Sequence, residues 1–199
     1  MISIIDYGVG NLKSLSNALS FLDFESELID SSDQVLAAEK LILPGVGAFD
    51  YAMQNIHELG LESAITEKAK SGTPIIGICL GMQLLLSKSE EARKHSGLGL
   101  IPGQVVRMKS QLKVPHMGWN EISIQRPSTL LKAAPQTRYG YFVHSFVCEP
   151  DDQGAVVATT AYDGDFVSII ERENIFGTQF HPEKSQELGL HILKRFAEI

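Results

Sequence analysis

The stretch with the most chemistry per residue is Gly77-Ile78-Cys79-Leu80-Gly81. It joins a nearly all-apolar run to a run with helical spacing. Small residues two places before and two places after a nucleophile permit a sharp strand-to-helix turn, which lifts the side chain clear of the backbone. A helix starting just after Cys79 favours the thiolate, the reactive form of cysteine. A free cysteine is more often a small buried filler, but flanking glycines in a strand–turn–helix setting favour the nucleophile. Cys148 is the control: it sits in Phe146-Val147-Cys148-Glu149 without flanking glycines and reads as packing.

A thiolate needs a proton shuttle and a group that orients the shuttle. Of the six histidines, His57 and His191 fall inside helical patterns and His95 in a charged loop. His181 follows the expected strand Ile175–Phe180 and precedes Pro182-Glu183. Proline holds the residue before it extended, and residues two apart in an extended segment point to the same side. His181 and Glu183 can therefore act as base and orienter. The plainer reading of the pair is a satisfied turn histidine beside a solvated glutamate. Acyl transfer also needs N–H donors for the developing oxyanion. One is the amide of Leu80. Another comes from Pro44-Gly45-Val46-Gly47, where glycines on both sides of Val46 let that peptide approach a ligand or flip.

These residues must be positioned by the surrounding elements. Ile2–Asp6, Glu25–Asp30, Lys40–Leu43 and Thr73–Ile78 read as strands. Asn11–Leu22, Phe49–Lys70 (with a weak point at Leu59-Gly60) and Gly81–Ala92 read as helices. Strands alternating with helices over short connections predict a parallel sheet wrapped by helices. The second half is mostly strands: Gln104–Met108, Trp119–Gln125, Arg138–Glu149, Gly154–Tyr162, Phe166–Arg172 and Asn174–Phe180. Hairpin turns are expected at Tyr162–Asp165 and Glu171–Asn174. A last helix begins near Ser185, a plausible N-cap, and should bury Leu188, Ile192, Leu193 and Phe196. The expected architecture is one α/β domain over 1–199: a mostly parallel central sheet flanked by helices, with a partly antiparallel C-terminal extension.

The chain has 199 residues, with 17 Lys and Arg against 24 Asp and Glu, for a net charge of −7. That balance argues against a general role on nucleic acid. Hydrophobic residues at 44% argue against disorder. Two cysteines make no disulfide scaffold and fit a reducing compartment. The N-terminus lacks the basic region of a signal peptide, and the longest apolar stretch, PIIGICLGMQLLL, is too short to span a bilayer. The expectation is a cytoplasmic protein acting without a membrane.

GICLGMQ, PGVGAF and FHPE together closely resemble class I, triad-type glutamine amidotransferases. More narrowly, DYGVGN, LPGVGAF, GICLGMQLL, KVPHMGWN, YFVHS and GTQFHPEKS resemble the glutaminase subunits of imidazole glycerol phosphate synthase, from Asp6 to the final helix. The resemblance implies that Cys79 attacks the side-chain amide carbon of glutamine. His181, oriented by Glu183, then moves the proton, and a thioester forms and is hydrolysed to glutamate. It implies Val46 and Leu80 as oxyanion donors, with Val46 pointing the wrong way until a partner and its substrate turn it. It implies Gly47 and Gln83 as glutamine-binding residues, and His144, Ser145 and Phe146 around the α-amino-acid end. The ammonia would pass to a cyclase subunit with a (β/α)₈ barrel, in a heterodimer. That barrel typically needs about 250 residues, so it must be another chain. Asn11, Trp119, Tyr141 and Lys184 are implied at that interface. No cofactor and no metal ion are part of this reading.

Two positions depart from the family pattern. Asp50 stands after PGVGAF where a small residue is expected, and Phe146 follows His-Ser where Tyr is expected. Three competing readings are a glutaminase serving pyridoxal phosphate synthesis, a stand-alone cysteine hydrolase of γ-glutamyl peptides, and a binding module that has kept the fold. PGVGAF and PHMGWN argue against the first. Partner-independent activity would mark the second. The intact set Cys79, His181 and Glu183 argues against the third.

Overall fold

Apolar runs with no polar alternation need cover on both faces, and the computed structural model, which describes residues 1–199, gives them that cover. Strands β1 (Ile2–Ile5), β3 (Leu41–Leu43) and β4 (Ile75–Ile78) are buried throughout. Strand β2 (Ser26–Ile29) pairs outside β1, and β1, β3 and β4 run side by side, all parallel. Helix α1 (Leu12–Phe21) buries Leu15, Ala18 and Leu19, and Asn11 caps its start by accepting the Ser14 N–H. The long helical pattern breaks at Leu59-Gly60 as expected, into α3 (Phe49–Glu58) and α4 (Leu61–Lys70). A short helix absent from the sequence reading, α2 (Ser32–Ala37), precedes β3; it buries only Val35, too little to leave a periodic signal.

The helix expected over Gly81–Ala92 is much shorter. Helix α5 spans Leu80–Leu84, and β5 (Leu86–Ser89) follows at once. All five residues of α5 are buried, so it has no solvated face to extend. From Leu86 the chain instead pairs in parallel with β6 (Ile101–Arg107), and that pairing overrides helical propensity.

Two expected strands are each split in two. Trp119–Gln125 becomes β7 (His116–Glu121) and β8 (Ser123–Ile124), and Arg138–Glu149 becomes β9 (Tyr139–His144) and β10 (Phe146–Pro150). In each case the chain changes sheets at the break: β7 pairs with β9, β10 with β6, and β8 with β11 (Val156–Ala161). Strands β12 (Asp165–Arg172) and β13 (Ile175–Thr178) complete an eight-stranded sheet in the order β2-β1-β3-β4-β13-β12-β11-β8. Pairing is parallel as far as β13 and antiparallel beyond it. The hairpin turns carry Asp163 and Glu173 at positive φ.

Apolar residues fill both faces. Ile5, Leu41, Leu43 and Ile75 face the core with α3 and α4, while Ile4, Ile42, Ile76 and Ile78 face the core with α1 and helix α6 (Gln186–Ala197). Helix α6 buries Leu188, Ile192, Leu193 and Phe196, as the sequence predicts. Ser185 stands at its N-cap position but does not cap it. Its hydroxyl donates to the His181 carbonyl (2.6 Å) and accepts the Tyr141 N–H (2.9 Å), tying α6 to the segment after β13. No helix is long and apolar enough to cross a membrane. Phe196 is fully buried beside Phe176, with ring centroids 6.1 Å apart. Phe196→Ala is expected to lower the unfolding free energy by about 3–5 kcal/mol in urea titration. A loss below about 1 kcal/mol would show that α6 does not seal this face.

Candidate active site

Cys79 follows the last residue of β4, and its N–H donates to the Thr178 carbonyl of β13 at 2.7 Å. Its φ of 55° and ψ of −108° are sparsely populated for a residue with a Cβ. Such strain persists where the surroundings over-determine it. Here they do: a Cβ on Gly81 would lie 1.8 Å from the Leu43 carbonyl oxygen, and one on Gly77 would lie 2.5 Å from the Gly81 oxygen. The glycine spacing therefore reflects a turn packed hard against the end of β3. It leaves Cys79 6% exposed, at the base of a pocket of about 260 Å³.

His181 lines the same pocket. Its Nδ1 lies 3.0 Å from Glu183 Oε1, and both side chains are 3% exposed. Its Nε2 is buried without a protein partner, as is Glu183 Oε2. Burial alone would lower the pKa of His181. The neighbouring Cys79 sulfur and the Glu183 carboxylate outweigh it and raise the pKa to about 10. The site thus favours an imidazolium beside the sulfur. The other histidines differ: His57 is exposed beside Glu62, and His95 offers its backbone N–H to Asp50.

Val46, Gly47 and Leu80 also line the pocket. The loop before α3 is held from below, where the Tyr7 hydroxyl donates to the Pro44 carbonyl and the Asn55 amide donates to the Tyr7 carbonyl. Gly47, in contrast, has φ +103° and open space around its Cα, and Val46 is exposed. The loop is therefore anchored at Pro44 and unconfined at Val46-Gly47.

The far wall is the break between β9 and β10, so His144, Ser145 and Phe146 all face the pocket. Gln83 faces it too, with its Nε2 committed to the Phe146 carbonyl and to Gln179. His144 belongs to a buried chain of neutral groups. Its Nδ1 reaches the Phe146 carbonyl at 3.0 Å, and its Nε2 reaches His116 Nδ1 at 3.1 Å. His116 Nε2 lies 3.4 Å from Asn120 Nδ2. The Phe146 carbonyl only accepts, so His144 Nδ1 carries its proton and His144 Nε2 accepts from His116. Burial pushes His144 down to about 4 and lowers His116 as well.

The residues expected at a partner surface also gather. Trp119 is exposed and meets Tyr141 edge-on, with centroids 6.0 Å apart, and Lys184 Nζ sits 5.8 Å from the Tyr141 ring centroid. Asn11 lines a small cavity with Pro44, Val46, His181 and Glu183. Exposed Met117 and Tyr139, on the same β7–β9 ribbon, extend this surface.

Sequence reasoning missed Glu91, which lines the pocket. One carboxylate oxygen accepts the Phe49 N–H at 3.0 Å, and the other has no protein partner. The expected helix through Ala92 hid it as an ordinary solvated glutamate. Asp50 has a concrete role: its carboxylate accepts the N–H groups of Arg93, Lys94 and His95 and pins the loop that carries Glu91. His116 lay inside the KVPHMGWN motif, and its histidine partner could not be read from spacing.

Because the folded His144 pKa lies near 4, below the ordinary 6.5, the unfolded chain binds more protons between these values. The His144 contribution to stability should therefore be full above about pH 6.5 and be lost towards pH 4, by roughly 3 kcal/mol. His144→Asn should flatten that part of the profile in urea unfolding at stepped pH. An unchanged slope would contradict it.

Comparison with known proteins shows the family of the chain. The family profile described as "Glutamine amidotransferase class-I" matches residues 3–199. The imidazole glycerol phosphate synthase subunit HisH of Moorella thermoacetica is 48% identical over 198 residues, covering all of this chain and 94% of the relative. The HisH subunit of Chlorobaculum tepidum is 45% identical, with both chains fully covered. A solved structure titled as a glutamine amidotransferase has a TM-score of 0.78 at 18% identity, covering 100% of this chain and 99% of the other, which shows the shared fold. This chain belongs to the class I glutamine amidotransferase family, in the branch of imidazole glycerol phosphate synthase HisH subunits.

Proposed function

We propose that the chain is the glutaminase subunit of an imidazole glycerol phosphate synthase in histidine biosynthesis, with Cys79 as its nucleophile. The observation that carries the site assignment is the shared pocket of Cys79 and His181. In it the imidazole is held from behind by Glu183 while Nε2 is left without a protein hydrogen-bond partner.

The Cys79 thiolate attacks the side-chain amide carbon of glutamine, and the carbonyl π electrons move to oxygen. The N–H groups of Leu80 and Val46 stabilise that oxyanion. His181 delivers its proton to the amide nitrogen, the carbon–nitrogen bond breaks, and ammonia leaves a glutamyl thioester. Water then attacks, His181 accepts its proton, and the carbon–sulfur bond breaks to give glutamate and the starting cysteine. Glu183 keeps the imidazole oriented throughout. At the other end of glutamine, Gly47 and the His144-Ser145-Phe146 segment hold the α-carboxylate side. The unpartnered atoms of Glu91 and Gln83 suit the α-ammonium group.

Ammonia released here is consumed by a separate cyclase subunit with a (β/α)₈ barrel, in a heterodimer. It converts a phosphoribulosyl-formimino carboxamide into imidazole glycerol phosphate and an aminoimidazole carboxamide ribotide. The supporting features are the exposed Trp119, the Tyr141–Lys184 stack and Asn11 behind the base. We place the protein in the cytoplasm, as a single domain acting without nucleic acid or membrane.

Cys79→Ala should abolish glutamine use by the two-subunit complex while leaving cyclase activity with added ammonia intact. His181→Asn should cut glutamine turnover at least about 100-fold, far more than changes at His57, His95 or His191. Surviving glutamine turnover in Cys79→Ala would refute the nucleophile. Glutaminase activity of the isolated chain should be weak and should rise strongly with the cyclase subunit and its ligand, since the Val46-Gly47 peptide is unconfined. High partner-independent turnover would instead favour a stand-alone hydrolase.

A further inference from the structure

Gln179 lies between the end of β13 and His181 and is fully buried. No step above uses it. Its side chain occupies a hydrogen-bond chain whose direction is fixed at one end. The Phe146 carbonyl can only accept, so the Gln83 nitrogen 3.2 Å from it donates. The second hydrogen of that nitrogen reaches Gln179 Oε1, also at 3.2 Å. With its carbonyl engaged there, the Gln179 amide turns its NH₂ group the other way, and Nε2 stands 3.8 Å from Cys79 Sγ. Rotating the Gln83 amide would set two oxygens against each other at Phe146. Rotating the Gln179 amide would set two NH₂ groups against each other.

The sulfur has a second contact, 3.9 Å to the Val143 carbonyl. A carbonyl can accept a hydrogen bond from the thiol but has nothing to offer a thiolate. An N–H donor does the opposite, because a hydrogen bond to the charged form stabilises that form. We infer that Gln179 is a further catalytic residue. Its Nε2–H stabilises the Cys79 thiolate, and its Oε1 ties that function to Gln83 in the wall of the glutamine pocket. The inference rests on the reading of Cys79 as nucleophile.

Two substitutions separate this role from packing. Gln179→Met keeps the volume and removes the donor, and Gln179→Glu keeps the shape and places an acceptor beside the sulfur. The rate of Cys79 alkylation by iodoacetamide is measured from pH 5 to 10 on the full chain in its two-subunit complex, with the modified cysteine located by mass spectrometry. In Gln179→Met the pH profile of alkylation should move to higher pH by about one pH unit. Glutamine kcat at pH 7 should fall about tenfold, with KM changed less than about threefold, and part of the rate should return towards pH 9. Gln179→Glu should show a larger shift. Superimposable alkylation profiles would overturn the role, and so would a kcat loss that no pH restores. Should either variant fail to fold, the side-chain amide resonance of Gln179 in the unsubstituted protein should shift when Cys79 is alkylated, and an unmoved resonance would overturn the inference. Failure of the nucleophile reading looks different: glutamine turnover would survive complete alkylation of Cys79, and the catalytic role of Gln179 would fall with it.

Discussion

The hydrogen bond from the Cys79 amide to the Thr178 carbonyl continues the parallel pairing of β4 with β13, which runs in register from Ile75–Ile175 to Ile78–Thr178. Residues distant in sequence become neighbours there because two backbones share a ladder. Neighbouring strands lie about 4.8 Å apart. Cys79 leaves one strand just where Gln179 and His181 leave the next. Two strands buried on both faces have little freedom to slip, since sliding by one residue would exchange their two faces. The separation of sulfur and imidazole is thus set mainly by sheet geometry, and side chains refine it.

The rest of the site is built where strands change partners. The breaks at Ile122 and Ser145 move the chain from one sheet to another, and the second opens the wall of the pocket. A backbone that leaves a ladder exposes polar groups, and these need partners. His144 and His116 meet part of that need by passing hydrogen bonds from Asn120 to the Phe146 carbonyl. Their neutrality contrasts with the raised pKa of His181 nearby. The contrast follows from neighbours: His144 faces other histidines and a carbonyl, whereas His181 faces Glu183 and Cys79.

The sharp turn at Cys79, the Pro-directed His181–Glu183 pair, the parallel first half and the broken helix at Leu59-Gly60 were legible in the sequence because each rests on local rules. Glycine spacing, proline restriction and apolar periodicity act within a few residues. What was illegible depends on partners far along the chain. Helix α5 stops at Leu84 because Leu86 pairs with Ile101, which no local pattern contains. Glu91 was hidden by the same error. The splitting of Arg138–Glu149 needed knowledge of which sheet each half would join. The directed amide chain through Gln179 required three segments to be brought together first.

Asp50 and Glu91 hold each other's segments. The first turn of α3 supplies a carboxylate to three loop N–H groups, and the loop returns a carboxylate to the N–H that begins α3. Desolvation acts against the Asp50 charge, but those N–H groups keep its carboxyl below the usual range, so the clasp is charged at neutral pH. A loop fixed in this way has already lost its conformational entropy when the protein folds. An arriving ligand that meets Glu91 does not have to order it, so less of the intrinsic binding energy is spent on immobilising the receptor and more remains for discrimination among amino acids of similar size.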